Sequence, residues 1–428
     1  MKRIIILIAV TFSFHGYSQE PGKPLPSWQE GMLDLHHINT GRGDAAFYIL
    51  PDGTTFLLDA GEMPPDNNSP RRTQLQPNDS KRAHEWIVYY IRKFSPTVSE
   101  GRIDYGLITH FHNDHFGGYY QGAPLSKTGK YFRSGITGVG DELPIRTMID
   151  RGYPEYEYPS QMRKLRDAKT GLSQTPEGAK GIVNYWNFVD HHVKFGGMKA
   201  LRLRAGRSDQ IVLIHQPKKF SAFSIRNVKS GGTIWTGKGT DTFEQFTPYH
   251  DSVEIAENPL SNAIRIDYGD FRYYTGGDCP STADLGQPKW NDVGTAVAKA
   301  VGEVDVAVMD HHGNRDSQNE FNVKTLRPRV WIQQTWSADH PGHEVFRRIT
   351  SEYLYEGPRD LFATNMMEAN MLVIGPSLER AYKSMDGHIL LRVMPGAIEY
   401  YVIILNDENP DCEVKAVFGP YQTKKKSL

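Results

Sequence analysis

The chain has 428 residues, 39% of them hydrophobic and 23% charged, with 49 Lys and Arg against 50 Asp and Glu for a formal charge of −1. That length suits one large or two ordinary domains, and the composition is that of a globular chain rather than a disordered one. A charge so near neutral gives no global attraction for nucleic acid or anionic membranes.

Read from its start, the chain opens with Lys2 and Arg3, an apolar run from Ile4 to Phe14, and then Gly16-Tyr17-Ser18 before Gln19. This is the pattern of a secretory signal peptide over residues 1–18, and the run is too short to span a bilayer as an anchor. The expected location is periplasmic or secreted. Its removal takes two basic residues, from 49 to 47 against 50 acids, for a net charge of −3. No cysteine lies near the cleavage point, so a lipoprotein is not expected, and no later stretch is apolar enough for a membrane helix. Cys279 and Cys412 allow one disulfide at most, which export permits and the sequence leaves open.

After a Pro-rich lead, Pro21 to Pro26, strands are predicted at Met32–Asn39, Ala45–Leu50 and Thr54–Asp59, the last two joined by the hairpin signal Asp52-Gly53. Lys81 to Phe94 has helical periodicity, and Ile103–Ile108 reads as a strand. Residues ~123–255 show no clear alternation of strand and helix and hold many Gly, Pro and Tyr, so they read as a long insertion over the site. Strands are predicted again at Ala263–Tyr268, Phe271–Thr275, Val304–Val308 and Arg329–Gln333, with a helix at Glu344–Tyr353. A last hairpin spans ~388–405. No internal repeat is present. Strand pairs mixed with single helices predict two sheets packed face to face with helices outside.

The densest chemistry is in Thr109–Gly118, THFHNDHFGG. A strand alternates faces, so His110 and His112 can point the same way, while Asp114 and His115 return to that point on the next turn. One cation could take the first two histidines and a second could take Asp114 and His115. Imidazole with carboxylate suits zinc, with manganese or iron as alternatives. Further polar residues fall at strand ends: Asp59 in FLLDAGE, Asp278 in YYTGGD, and His311 and His312 in VAVMDHHGN. Asp44 lies in the Gly-rich loop NTGRGDA.

These segments resemble the metallo-β-lactamase superfamily, and within it the hydrolase domain of bacterial DNA-uptake channel proteins. The resemblance rests on THFHNDHFGG, FLLDAG, the loop Gly41-Arg42-Gly43-Asp44, the run from Asn258 to Asp278, the turn His311-His312-Gly313 and His340-Pro341. It covers residues ~32–120 and ~255–350. It implies an α/β fold, an αββα sandwich of two mixed sheets with outer helices, as one domain over residues 27–428. It also implies a dinuclear site at one edge, with two Zn2+ expected and Mn2+ or Fe2+ possible. His110 and His112 would hold the first ion, Asp114 and His115 the second, and Asp278 would bridge them. One of His311 and His312 would complete the second, and the sequence does not separate the two. Many members add a third histidine to the first ion; His191, His192, His215 and His250 are the candidates, none in a recognisable motif.

Such a site implies a metal-dependent hydrolase, because a bound divalent ion lowers the pKa of its water to roughly 7. Asp114 and His340 are the candidate catalytic residues, His340 as an acid for the leaving group or a clamp on a phosphate oxygen. Cys279, beside the bridging acid, reads as a small buried residue rather than a nucleophile. From Lys194 to Lys229 the chain is basic: Lys194, Lys199, Arg202, Arg204, Arg207, Lys218, Lys219, Arg226 and Lys229 stand against Asp209 alone. On a strand, Arg202 and Arg204 would share a face and could form an anion-binding wall. The expected substrate is therefore a small-molecule or nucleic-acid-like anion, a phosphodiester first. A lactonase or β-lactamase, and a non-catalytic binding protein on a hydrolase fold, are the alternatives.

Overall fold

A computed structural model describes residues 19–64, 70–158, 160–169, 171–247, 254–281 and 288–425. Residues 1–18, the expected signal peptide, and His250 lie outside these residues. The first strands are β1 (Leu33–His37), β2 (Ala45–Ile49), β3 (Thr55–Ala60), β4 (Ile103–Leu107), β5 (Ile145–Asp150) and β6 (Lys199–Arg202). There follow β7 (Phe223–Ser230), β8 (Thr233–Trp235), β9 (Thr242–Glu244), β10 (Ala263–Tyr268), β11 (Phe271–Thr275), β12 (Val306–Val308), β13 (Val330–Gln333), β14 (Asp360–Ala363) and β15 (Tyr382–Ser384). β16 (His388–Val393), β17 (Glu399–Leu405) and β18 (Val414–Gln422) come last.

Among the described residues these strands form two nine-stranded mixed sheets, ordered β18-β17-β16-β1-β2-β3-β4-β5-β6 and β15-β14-β13-β12-β11-β10-β7-β8-β9. The architecture is an αββα sandwich, and the side chains show why. Alternate residues of a strand face opposite sides. Leu33, Tyr48, Phe56 and Leu58 of the first sheet therefore meet Ile225, Ile266, Tyr273 and Ile332 of the second in one central apolar layer. Their neighbours Phe47, Leu57 and Ile103 face outward beneath the helices Ala83–Phe94 and Lys180–Phe195. Tyr274, Ala307 and Trp331 do the same beneath Val293–Val301 and His343–Ile349. Strands buried on both faces read as continuous apolar runs, as in Thr55–Ala60. Among the described residues no helix is long and apolar enough to cross a membrane.

The described residues of 123–255 hold regular strands and helices where their sequence predicts irregular structure. β5 and β6 extend the first sheet, β7 pairs with β10 near the middle of the second, and β8 and β9 lie beyond it. The strands were hard to read because their polarity is mixed: β6 is a largely exposed edge, and β7 buries Asn227, Lys229 and Ser230. The helix Lys180–Phe195 did carry a signal, since Ile182, Val183, Tyr185, Trp186, Phe188 and Val189 follow helical spacing and are all buried. Cys279 and Cys412 are free, buried and assigned to opposite outer layers, so they do not pair.

One buried ion pair fastens the C-terminal strands to the first. Asp34 and Arg392 are register partners on β1 and β16, and Arg392 donates through Nε and Nη2 to the two carboxylate oxygens at 2.9 and 2.7 Å. Both residues are at most 1% exposed. Removing one partner strands a buried charge, so Arg392→Met is expected to cost about 3–5 kcal/mol in urea unfolding. Asp34→Asn combined with Arg392→Met should recover part of that loss; no recovery would mean the arginine acts by packing alone.

Candidate metal centre

The site forms where the strand ends of the two sheets meet. Asp59 closes β3 with φ at 56°, a left-handed conformation uncommon for a non-glycine residue. It is held there by work at both carboxylate oxygens: Thr109 donates its N–H at 2.7 Å and its hydroxyl at 2.7 Å, and His115 Nδ1 lies 2.9 Å away. This fixes the imidazole of His115 with Nε2 turned to the centre. The motif helix Asn113–Phe116 is only four residues long and is clamped from outside. Asp44 N–H donates to Asp114 O at 2.7 Å. A Cβ on Gly43 or Gly61 would fall 2.2 or 2.0 Å from that same oxygen, so both positions need glycine for the close approach.

From the other sheet, β11 delivers Asp278, whose N–H donates to Ser261 Oγ at 3.2 Å. The turn after β12 holds His311 and His312, with φ of 50° and 57°. Asp278 stands at the middle. Its Oδ1 is 3.0 Å from His115 Nε2 and 3.5 Å from His312 Nε2, and its Oδ2 is 3.5 Å from His110 Nε2. His110 Nε2 lies 3.1 Å from His112 Nδ1, and His312 Nε2 lies 3.0 Å from Asp114 Oδ2. Two donor sets result: Asp114, His115, Asp278 and His312, and His110, His112 and Asp278, each within 4.8 Å. His311 turns away from the first set. Its Nδ1 sits 2.6 Å from Asp316 and its Nε2 sits 3.1 Å from Asn258, 3.7 Å from Asp278.

The electrostatics follow from crowding. Burial by itself would raise Asp278, but His115, His312, His311 and His110 outweigh it and hold the carboxyl well below the usual range. Asp114 is held low in the same way by His115 and His312. Burial would lower His115, and Asp278 and Asp114 instead raise it well above the ordinary value. His110 goes the other way, lowered by burial and then by His115. The acids thus demand positive charge at this point. A divalent ion meets that demand by displacing the imidazole protons. The donor set fits one: four imidazoles and two carboxylates, with His115 Nε2 and Asp278 Oδ1 buried and without a hydrogen-bond partner. Partners behind the donors also fit, since Asp59 lies behind His115 and Asp44 Oδ1 lies 3.0 Å from His312 Nδ1.

Supports reach further out. Glu257 takes a two-pronged ion pair from Arg151 at 2.8 and 2.6 Å and accepts Phe111 N–H at 2.9 Å, which pins the loop between His110 and His112. Burial opposes its charge, and Arg151 holds its carboxyl below the usual range nonetheless. Glu257→Gln should therefore weaken metal binding about tenfold, most at the His110–His112 side, as seen by competition with a fluorescent zinc chelator. An unchanged affinity would reduce Glu257 to a packing role.

The centre opens into a cavity of about 440 Å³ lined by His112, Asp114, Asp278, His311, His312 and His340, and also by Arg71, Arg72 and Trp336. A larger cavity of about 730 Å³ lies between Arg42, Glu62 and Arg82, and none of the donor residues lines it. His340 stacks on His312 with ring centres 4.6 Å apart. Arg202 and Arg204 do not line the metal cavity; both are exposed, near Glu157 and Asp209. No described residue between 123 and 255 lines it either, so the expected cover over the donors is not seen in the lining of this cavity. Lys229 is fully buried and donates to Pro259 O and Ser261 O at 2.6 and 2.8 Å, with burial pulling its pKa down to about 8. It braces the loop carrying Asn258 and is no part of an exposed basic wall. Of the candidates for a third histidine, His192 contacts Tyr131, and neither it, His191 nor His215 joins a donor set among the described residues.

The sequence reading missed Arg71, Arg72 and Trp336. Trp336 Nε1–H points at His312 Nε2 from 3.3 Å, and no motif announced it. The arginine pair follows Pro70 in a loop whose place in the fold only the structure reveals.

No family model and no curated protein matches the sequence. Solved structures similar to it include a Parabacteroides distasonis protein assigned as a metal-dependent hydrolase, 13% identical over 79% of this chain and 96% of that one, with a TM-score of 0.32. Zinc-bound PqqB from Methylobacterium extorquens is 12% identical over 81% of this chain and 86% of its own, with a TM-score of 0.33. The short form of human tRNase Z is 14% identical over 70% and 91%, with a TM-score of 0.30.

Proposed function

We propose that the chain is an exported, metal-dependent hydrolase that cleaves a phosphodiester or another anionic ester. Two divalent ions would be held by His110, His112, Asp114, His115, Asp278 and His312, with zinc the first choice for this mixture of imidazole and carboxylate. The observation that carries the reading is Asp278, a buried carboxylate shared between two sets of donors. Ions bound there supply an acidified water and an electrophile for the oxygen that gathers charge.

The chain's own groups divide the remaining work. His115 and His312 hold Asp114 ionised, and we assign its carboxylate to orient the attacking water by accepting a hydrogen bond from it. His340 lies against His312, where burial and then the neighbouring imidazole push its pKa well below the ordinary histidine value. It is therefore neutral, and suited to donate one N–H to an oxygen of the substrate rather than to act as a strong acid. No serine or cysteine nucleophile is needed, and burial pushes the Cys279 thiol up to about 12, away from the reactive thiolate.

The test is a substrate screen of metal-loaded protein. Turnover of bis-p-nitrophenyl phosphate, lost on chelation and restored by zinc, manganese or iron, is expected. Turnover confined to nitrocefin or to lactones would overturn the ester class, and bound metal with no turnover of any substrate would favour a binding protein. Export is tested by the mass of protein made with residues 1–18 in place, which should begin at Gln19 after secretion.

A further inference from the structure

We propose that Arg71 and Arg72 form an anion clamp at the mouth of the metal cavity and restrict the substrate to a small phosphate ester. The clamp rests on the hydrolase reading above, since the cavity it guards belongs to the metal centre. Both arginines line that cavity, with Arg71 exposed and Arg72 partly buried. They are carried on a strap whose backbone is fixed from both sides. Arg72 forms an antiparallel bridge with Ser337, Ala338 N–H donates to Arg71 O at 2.9 Å, and Thr73 N–H donates to Trp336 O at 3.0 Å. On its other side, Thr73 Oγ1 donates to Gly41 O at 2.9 Å, and Arg42 Nη1 donates to Thr73 O at 3.1 Å. The strap therefore ties the Gly-rich loop of the first sheet to the loop after β13, which carries Trp336 and His340. Guanidinium groups on a fixed backbone lose less freedom on binding than groups on a loose loop.

Charge gives the strap its meaning. The cavity is lined by Asp114, Asp278 and Asp339, which by themselves would repel an anion. Divalent ions at the donors would offset that repulsion, and Arg71 and Arg72 would add positive charge to the same lining. A guanidinium offers paired N–H donors that match the oxygens of a phosphate, and a neutral lactone or lactam has no such group to offer in return. Size sets the other limit. A cavity of about 440 Å³ takes a ligand of nucleotide dimensions. A formal charge of −1 gives no field for gripping a long polyanion. The substrate class is thus a small phosphodiester rather than duplex nucleic acid.

The experiment compares wild type with Arg71→Gln, Arg72→Gln and the double variant, which keep most of each side chain's apolar stem. Each is checked for zinc content and melting temperature, then titrated calorimetrically with inorganic phosphate and assayed on bis-p-nitrophenyl phosphate and p-nitrophenyl acetate. The double variant should hold as much zinc as wild type, bind phosphate about tenfold or more weakly, and show a similar rise in KM for the diester with kcat little changed. Its phosphate affinity should also fall less steeply with salt. The neutral acetate should be handled equally by both proteins. Equal phosphate affinity and equal KM in the zinc-loaded double variant would overturn the clamp and leave the hydrolase reading standing. Wild type that holds no zinc and turns over no ester would end the hydrolase reading. The clamp would fall with it, because the acids of the cavity would then repel the phosphate. Faster cleavage of duplex DNA than of the small diester would overturn the size limit.

Discussion

Asp278→Ala should abolish turnover and release at least one metal ion, while Cys279→Ala changes neither. The two residues are neighbours and both are buried, so the contrast isolates chemistry from packing. Asp278 lies within 3.0–3.7 Å of four histidine Nε2 atoms, those of His115, His110, His312 and His311. A carboxylate in that position offsets the mutual repulsion of two cations, and alanine leaves them unscreened in a buried setting. Cys279 faces the opposite way, into the outer apolar layer, with Sγ 3.9 Å from Ser261 O. Losing its thiol removes a small packed group, a change expected to cost about 1 kcal/mol of stability. Metal content by inductively coupled plasma mass spectrometry and turnover of the diester check both variants. Full activity in Asp278→Ala would contradict the assignment of the bridge.

Asp59→Asn should lower metal affinity about 10–100-fold and leave the fold nearly intact. Asparagine tolerates the left-handed φ of 56° at this position, so the backbone has no reason to shift. Its amide can still accept from one Thr109 donor. What it cannot do is offer His115 Nδ1 a full negative charge from 2.9 Å, so the ring loses both its orientation and part of its basicity. Chelator competition measures the affinity and thermal unfolding of the metal-free protein measures the fold. A large drop in metal-free stability with unchanged affinity would make Asp59 a structural residue of the β3 end and remove it from the site.

What the sequence disclosed, it disclosed where ligands are close together in the chain or fall at the end of an apolar strand. His110, His112, Asp114 and His115 share one turn, and Asp59 and Asp278 each close a run that reads as buried. Strand pairs mixed with single helices likewise foretold the two-sheet sandwich. The choice between His311 and His312 was not legible, because both lie in one left-handed turn and only the direction of each ring separates them. Arg202 and Arg204 misled because period-two spacing says that two side chains share a face and not what that face meets; here it meets solvent, Glu157 and Asp209. The converse holds for Arg71 and Arg72. Their bridge partner Ser337 is distant in sequence, so nothing local marks them. The strands between 145 and 244 were obscured by polar residues in buried positions, Lys229 above all, whose ammonium is satisfied by backbone carbonyls that only the fold supplies.

Metal stoichiometry tests the account most directly. Protein purified without chelator, or loaded with zinc and dialysed, should retain about two equivalents of divalent ion per chain. Replacing His112, the exposed donor of the second set, with alanine should leave about one. Protein that retains no ion after zinc loading, with its fold intact by circular dichroism, would contradict the metal centre and every functional conclusion that depends on it.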